Sequence, residues 1–152
     1  WLYFGEQPHP EPAGRVFWTR PAGSPANAYG AGFFKGLEVL SSSYVRVKGS
    51  SFPLQFREGI AVFSGGDLSA PITNAFTVNT GGKIVNSGGA KFRINFAAKT
   101  GTFSGALSDA SLGQSISFQG AVLQSQNCGY GYFLGQSQSS GLVYIGPREV
   151  EP

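Results

Sequence analysis

Few residues of this chain are of a type that does chemistry. His9 is the only histidine and Cys128 the only cysteine. Together they cannot supply the three or four ligands of the usual zinc sites, so no metal and no cofactor is expected. His9 stands in the proline-rich stretch 5–12, and a Ser-His-Asp arrangement would have to draw its base from that tail. Gly129-Tyr130-Gly131 lacks the lysine and the strand-to-helix context of a phosphate cradle, so its glycines read as sheet features. Glycoside hydrolysis needs at least two carboxylates, and the body of the chain offers Glu38, Glu58, Asp67 and Asp109. Asp67 and Asp109 fall in turn-like stretches, where Asp serves its own backbone. Glu38 and Glu58 fall in or beside strands. These residues point away from an enzyme.

What remains is recognition chemistry. A sugar ring offers C–H groups to an aromatic face and hydroxyls to planar amides. Aromatic residues make up 14% of the chain, and six Gln and four Ser lie between positions 114 and 138. The candidate platforms are Trp18, Tyr29, Tyr130 and Tyr132, with Gln119 as the amide. Each also has an ordinary packing role open to it, since Trp and Tyr are common in sheets.

The charge narrows the partner. Eleven Lys and Arg against eight Asp and Glu give +3. Four of the acids (Glu6, Glu11, Glu149 and Glu151) are terminal, so residues 13–148 hold eleven basic residues against four acids, a net +7. A surface of that sign favours anionic partners, and an acidic polysaccharide or cell-surface polymer fits it. Nucleic acid is not expected, because the basic residues are scattered singly and no recognised motif appears. No apolar run approaches the roughly 20 residues of a membrane helix.

The elements that must carry these side chains are strands. The longest stretch free of Gly and Pro is twelve residues, 37–48, rich in Ser and β-branched residues. Interior Gly and Pro cost a helix about 1 and 3 kcal/mol, so helices have little room. Short runs of Val, Ile, Phe, Tyr and Thr cut by Gly, Ser, Asn and Asp predict strands near 15–20, 37–47, 59–63, 72–78, 83–85, 92–96, 102–107, 114–124, 130–134 and 142–145. Asn127-Cys128-Gly129 reads as a tight turn. Links this short require antiparallel neighbours. The expected fold is an all-β antiparallel meander, a closed or nearly closed barrel with a β-sandwich as the alternative. Residues 1–12 are expected to be an N-terminal strand and proline-rich linker, 13–147 a single β domain, and 148–152 a tail. Trp1, Leu2, Tyr3 and Phe4 form an apolar strand that could pair with a neighbouring copy, which makes self-association the alternative to carbohydrate binding.

A Phe-x-Gly repeat runs through the pattern, at 34–36, 63–65, 103–105, 118–120 and 133–135. Residues two apart share a strand face, so a ring from the next strand is expected to cover each glycine, and such glycines let a coiled sheet close.

Three blocks in the first half carry a resemblance: Gly14-Arg15-Val16-Phe17-Trp18-Thr19-Arg20-Pro21, Tyr29-Gly30-Ala31-Gly32-Phe33 and Phe63-Ser64-Gly65-Gly66-Asp67-Leu68. Stronger are Thr100-Gly101-Thr102-Phe103-Ser104-Gly105, then 118–126 (FQGAVLQSQ), then Gly129-Tyr130-Gly131-Tyr132-Phe133-Leu134-Gly135. Over residues 14–146 the chain resembles a β-rich domain of large secreted proteins of Verrucomicrobia and Planctomycetes. The resemblance implies a secreted bacterial β module, brings no catalytic residues with it, and makes residues 1–4 the tail of an upstream strand. The absence of methionine likewise suggests a piece of a longer protein.

Overall fold

The computed structural model describes residues 2–3, 11, 13–23, 30–48, 52–109, 113, 115–137 and 139–148. The expectation of an all-β antiparallel chain holds. Among the described residues there is no α-helix, only one 3-10 turn at Gln124–Gln126. Contacts thin after Ser43, inside the span expected as one domain, and divide the chain into two compact units, Trp1–Ser43 and Tyr44–Pro152.

The first unit is a three-stranded antiparallel sheet of β1 (Leu2–Tyr3), β2 (Ala13–Arg20) and β3 (Phe33–Val39). Phe17 stacks on Phe34 with ring centroids 5.7 Å apart, and Trp18 meets Phe33 edge-on at 5.2 Å. None of residues 13–23 and 30–43 is buried.

The second unit holds β4 (Glu58–Gly65), β5 (Ile72–Val78), β6 (Ile84–Asn86), β7 (Lys91–Ala97), β8 (Thr102–Ser108), β9 (Ile116–Leu123), β10 (Cys128–Leu134) and β11 (Ser140–Pro147). They form one eight-stranded antiparallel sheet in the order β6-β5-β4-β11-β10-β9-β8-β7. Consecutive strands pair from β4 to β6 and from β7 to β11, and the first strand pairs with the last. The result is a nearly closed barrel whose seam lies between β6 and β7, neighbours in sequence. Asparagines bridge that seam where strand hydrogen bonds stop. Fully buried Asn74 accepts from the Ala90 N–H at 3.2 Å and donates to Asn86 Oδ1 at 2.8 Å, while Asn86 Nδ2 donates to the Ala90 carbonyl at 2.7 Å.

Phenylalanine rings fill the interior, and glycines face them. Phe103 lies opposite Gly120 and Gly105 opposite Phe118, so adjacent strands β8 and β9 interlock reciprocally. Phe133 lies opposite Gly141, and Phe76 opposite Gly59. At each of these glycines an added Cβ would collide with the facing ring. The rings touch one another in turn: Phe118 stacks on Phe92 at 5.8 Å and meets Phe63 edge-on at 5.1 Å. The Phe-x-Gly repeat is therefore structural at 103–105 and 118–120, where each ring covers the other strand's glycine. It is not uniform: Gly65 and Gly135 sit at strand ends and meet backbone or Asp67 rather than rings.

Two sequence expectations give way. The strand expected over 37–47 is β3 at Phe33–Val39, because Phe33 and Phe34 pair with Arg20 and Thr19, while 40–48 has no regular structure. Beyond it, Val45 finds no ladder partner and its backbone is held by one side chain. Gln124 Oε1 accepts from the Val45 N–H at 2.7 Å, and Gln124 Nε2 donates to the Val45 carbonyl at 3.1 Å. The tight turn expected at 127–129 lies earlier: Asn127, at φ 53°, ends the 3-10 turn, and Cys128 and Gly129 already belong to β10.

Gly120→Ala should destabilise the barrel by about 1–3 kcal/mol through overpacking, because its Cβ would strike Phe103 and the Tyr130 carbonyl. Gly89→Ala, with open space around it, should stay within about 0.5 kcal/mol of the parent. Urea unfolding of the two variants checks this; equal midpoints would remove the ring-over-glycine account.

Candidate functional site

A ligand has no room inside this barrel. Its lumen is occupied by rings, and one mouth is stoppered by the segment before β4. Phe52 packs against Phe96 and Phe56 against Phe76, with centroids 5.0 and 6.2 Å apart, and Leu54 is buried between strand ends. The stopper is fastened by Tyr44, whose hydroxyl donates to the Ala98 carbonyl at 2.9 Å, and by Asn127 Oδ1, which accepts from the Gln55 N–H at 2.6 Å. At the opposite end a cavity of about 410 Å³ lies between the β4–β5 and β10–β11 turns, lined by Asp67, Leu68, Ile72, Ile116 and Gly135 among others, and a second depression lies on the outer wall.

There the pleat and the register build a polar row. Asn95, Ser104, Gln119, Tyr132, Leu142 and Ser64 are successive cross-strand partners from β7 through β10 and β11 to β4. Gln119 Nε2 donates to the Tyr132 hydroxyl, which holds an amide plane beside a phenol ring. The next row runs Thr102, Ala121, Tyr130 and Tyr144, and the last two rings stand 5.3 Å apart. Small side chains between Asn95 and Tyr132 leave a shallow depression of about 450 Å³, lined by Asn95, Thr102, Ser104, Gln119 and Tyr132 among others. Such a surface offers an aromatic face at one end and amide and hydroxyl groups along its floor.

Three of the expected site residues, Gln119, Tyr130 and Tyr132, thus share one wall. Trp18 lies on β2 in the first unit, 59% exposed. Tyr29 lies outside the described residues, as do Trp1 and Phe4. Leu2 and Tyr3 form β1, paired in register with Gly14 and Ala13 of the same chain. Sequence reading missed Asn95 and Ser104. The alternation of Arg93 and Asn95 with Phe92, Ile94 and Phe96 already placed Asn95 on a wet face, but only the register set it in line with Gln119.

The carboxylates are placed for other work. Asp67, at φ 70°, ties the β4–β5 turn to the β10–β11 turn: its carboxylate accepts from Ser137 Oγ and Ser139 Oγ, both at 2.6 Å, and from the Ser137 N–H at 2.8 Å. The Ser137 hydroxyl first, then the Ser139 hydroxyl and the Ser137 amide, hold its pKa below the ordinary aspartate value. That is the wrong direction for a general acid. Glu58 begins β4 and Asp67 follows its end, so the length of a strand, about 25 Å at 3.3 Å per residue, separates them. Glu38 stands in the first unit, 3.7 Å from Arg15 across β2 and β3. Cys128 is not a turn residue but a buried free thiol whose pKa burial pushes up, the opposite of an activated nucleophile.

No family model matches the chain, and comparison with curated proteins and with solved structures finds no match. No helix among the described residues is long and apolar enough to cross a membrane.

The lowered pKa of Asp67 has a definite pH signature. Its contribution is fully present above the unfolded aspartate pKa, about 3.9, and is lost as pH falls through the lower folded value. Thermal melting of the parent and of Asp67→Asn should therefore differ at pH 6 and converge in strong acid. A gap that stays constant down to pH 2 would show that the ionised carboxylate is not what joins the two turns.

Proposed function

We propose that the chain is a non-catalytic, secreted bacterial binding module for carbohydrate, and that the ligand lies on the outer wall of β7–β10. One observation carries this reading: Gln119 and Tyr132 present a coupled amide and phenol in register with Ser104 and Asn95. A pyranose ring resting on Tyr132 would place its hydroxyls over that row. The depression of about 450 Å³ beside Tyr132 adds support, since it is lined by Asn95, Ser104 and Gln119 of the same row. The secreted setting rests on the resemblance carried by the 100–135 blocks.

Tyr132→Ala should weaken glycan binding about tenfold, equivalent to ~1.4 kcal/mol, and Gln119→Ala by a comparable factor. Thr73→Ala, on β5 outside that wall, should leave the affinity unchanged. Isothermal titration against glycans selected from a polysaccharide screen measures all three. Binding that survives both wall substitutions would place the ligand elsewhere.

A second reading, assembly within an extracellular structure, is favoured by the first unit. Phe17 and Phe34 share one face of its sheet, 58% and 66% exposed, with Trp18 59% exposed on the other, and a small sheet with an apolar face needs packing against something to be stable. On this reading the chain scatters light as an oligomer, and removal of residues 1–12 or Phe34→Ser returns it to a monomer. Monomeric behaviour of all three forms would remove it.

A further inference from the structure

The polar row ends on β7, and what stands beside its end differs from the rest of the wall. Along the outer face of β7 the side chains are Lys91, Arg93, Asn95 and Ala97, each about 6.6 Å from the next by strand rise. Strands β7 to β11 carry these two cations and no Asp or Glu at all. The cross-strand partner of Lys91 is Ser108, which Asp109 follows, so Lys91 has an acid near it in the chain. Arg93 does not: its partner is Ala106, whose own partner on β9 is Ser117. Arg93 is exposed, and among the described residues no carboxylate lies within ion-pair distance of it. Its guanidinium therefore has only small side chains between it and the floor of the depression.

From this placement we infer that the site takes an acidic glycan, a chain of uronic acid residues, and that Arg93 is the residue that selects it. The inference rests on the carbohydrate reading of the same wall. Three strand spacings separate β10 from β7, about 14 Å at 4.8 Å each, so Tyr132 and Arg93 contact different sugars of one oligosaccharide. A ring packs on Tyr132, the next lies over Gln119 and Ser104, and the carboxylate of a further one meets Arg93 with Asn95 beside it. The planar guanidinium matches a carboxylate with two parallel N–H···O bonds. The acid-free wall matters equally: a polyanion lying across four strands meets no repelling charge.

The test uses the whole chain and a short oligogalacturonate as probe, with its methyl ester as the neutral counterpart and a sulfated oligosaccharide of similar length as a third arm. Titration calorimetry at low and physiological salt is run on the parent, Arg93→Gln, Arg93→Lys, Tyr132→Ala and, as a surface-charge control, Lys99→Gln. The expected result is tighter binding of the acid than of the ester. Arg93→Gln should lose about tenfold on the acid and nothing on the ester, Arg93→Lys should recover only part of the loss, and Lys99→Gln should behave as the parent. Equal affinity of the parent for acid and ester, preference for the sulfated arm, or an Arg93→Gln variant that binds the acid as the parent does would each overturn the assignment. Binding of acid and ester alike that depends on Tyr132 but ignores Arg93 leaves the carbohydrate reading standing and removes the acidic one. Absence of binding in every arm overturns both.

Discussion

The interior of an eight-stranded barrel is just wide enough for side chains to fill it, and here rings fill it only because glycines face them. Phe103 over Gly120 and Phe118 over Gly105 are the same contact made twice, in opposite directions, across one pair of strands. Each ring occupies the volume that the facing residue gives up. Beyond these facing pairs rings meet rings from strands that are not neighbours, as Phe118 does Phe92 at 5.8 Å. The result is a dry, continuous core running from Phe76 to Phe103 with no lumen. Closure of the sheet and the filling of its interior both follow from this one packing rule.

Much of that was legible because the barrel strands alternate cleanly. The alternation of Phe92, Ile94 and Phe96 with Arg93 and Asn95 defines β7 and both its faces, and the run 72–78 is β5 to the residue. The Phe-x-Gly spacing pointed to rings covering glycines before any register was known. The reading failed where side chains replace the ladder. Val45 sits in a run with strand composition, yet its backbone bonds go to the Gln124 amide, and no propensity scale reports a partner 79 residues away. Asn127-Cys128-Gly129 has turn composition throughout, but only Asn127 adopts the left-handed conformation.

The candidate face was half legible for the same reason. Aromatic and amide types identified Gln119, Tyr130 and Tyr132, which share a wall because β9 and β10 form a short hairpin. Trp18 was chosen on type and enters the three-stranded sheet of the first unit, a placement that type does not report. Asn95 and Ser104 are of common surface types and gain meaning only from lying in register with Gln119. Arg93 is similar: its importance comes from the absence of acids on five consecutive strands, a property of the assembled wall rather than of any window of sequence.

The pairing of β4 with β11 also has a mechanical side. Gly59 lies opposite Pro147, so the chain enters and leaves the barrel at adjacent points on one rim. Tension applied through the flanking chain pulls these two strands apart from that rim. Their hydrogen bonds are then loaded one after another, as in a zipper, instead of all together in shear. On the N-terminal side the bonds of Tyr44 to the Ala98 carbonyl and of Val45 to Gln124 stand before that ladder and must part first.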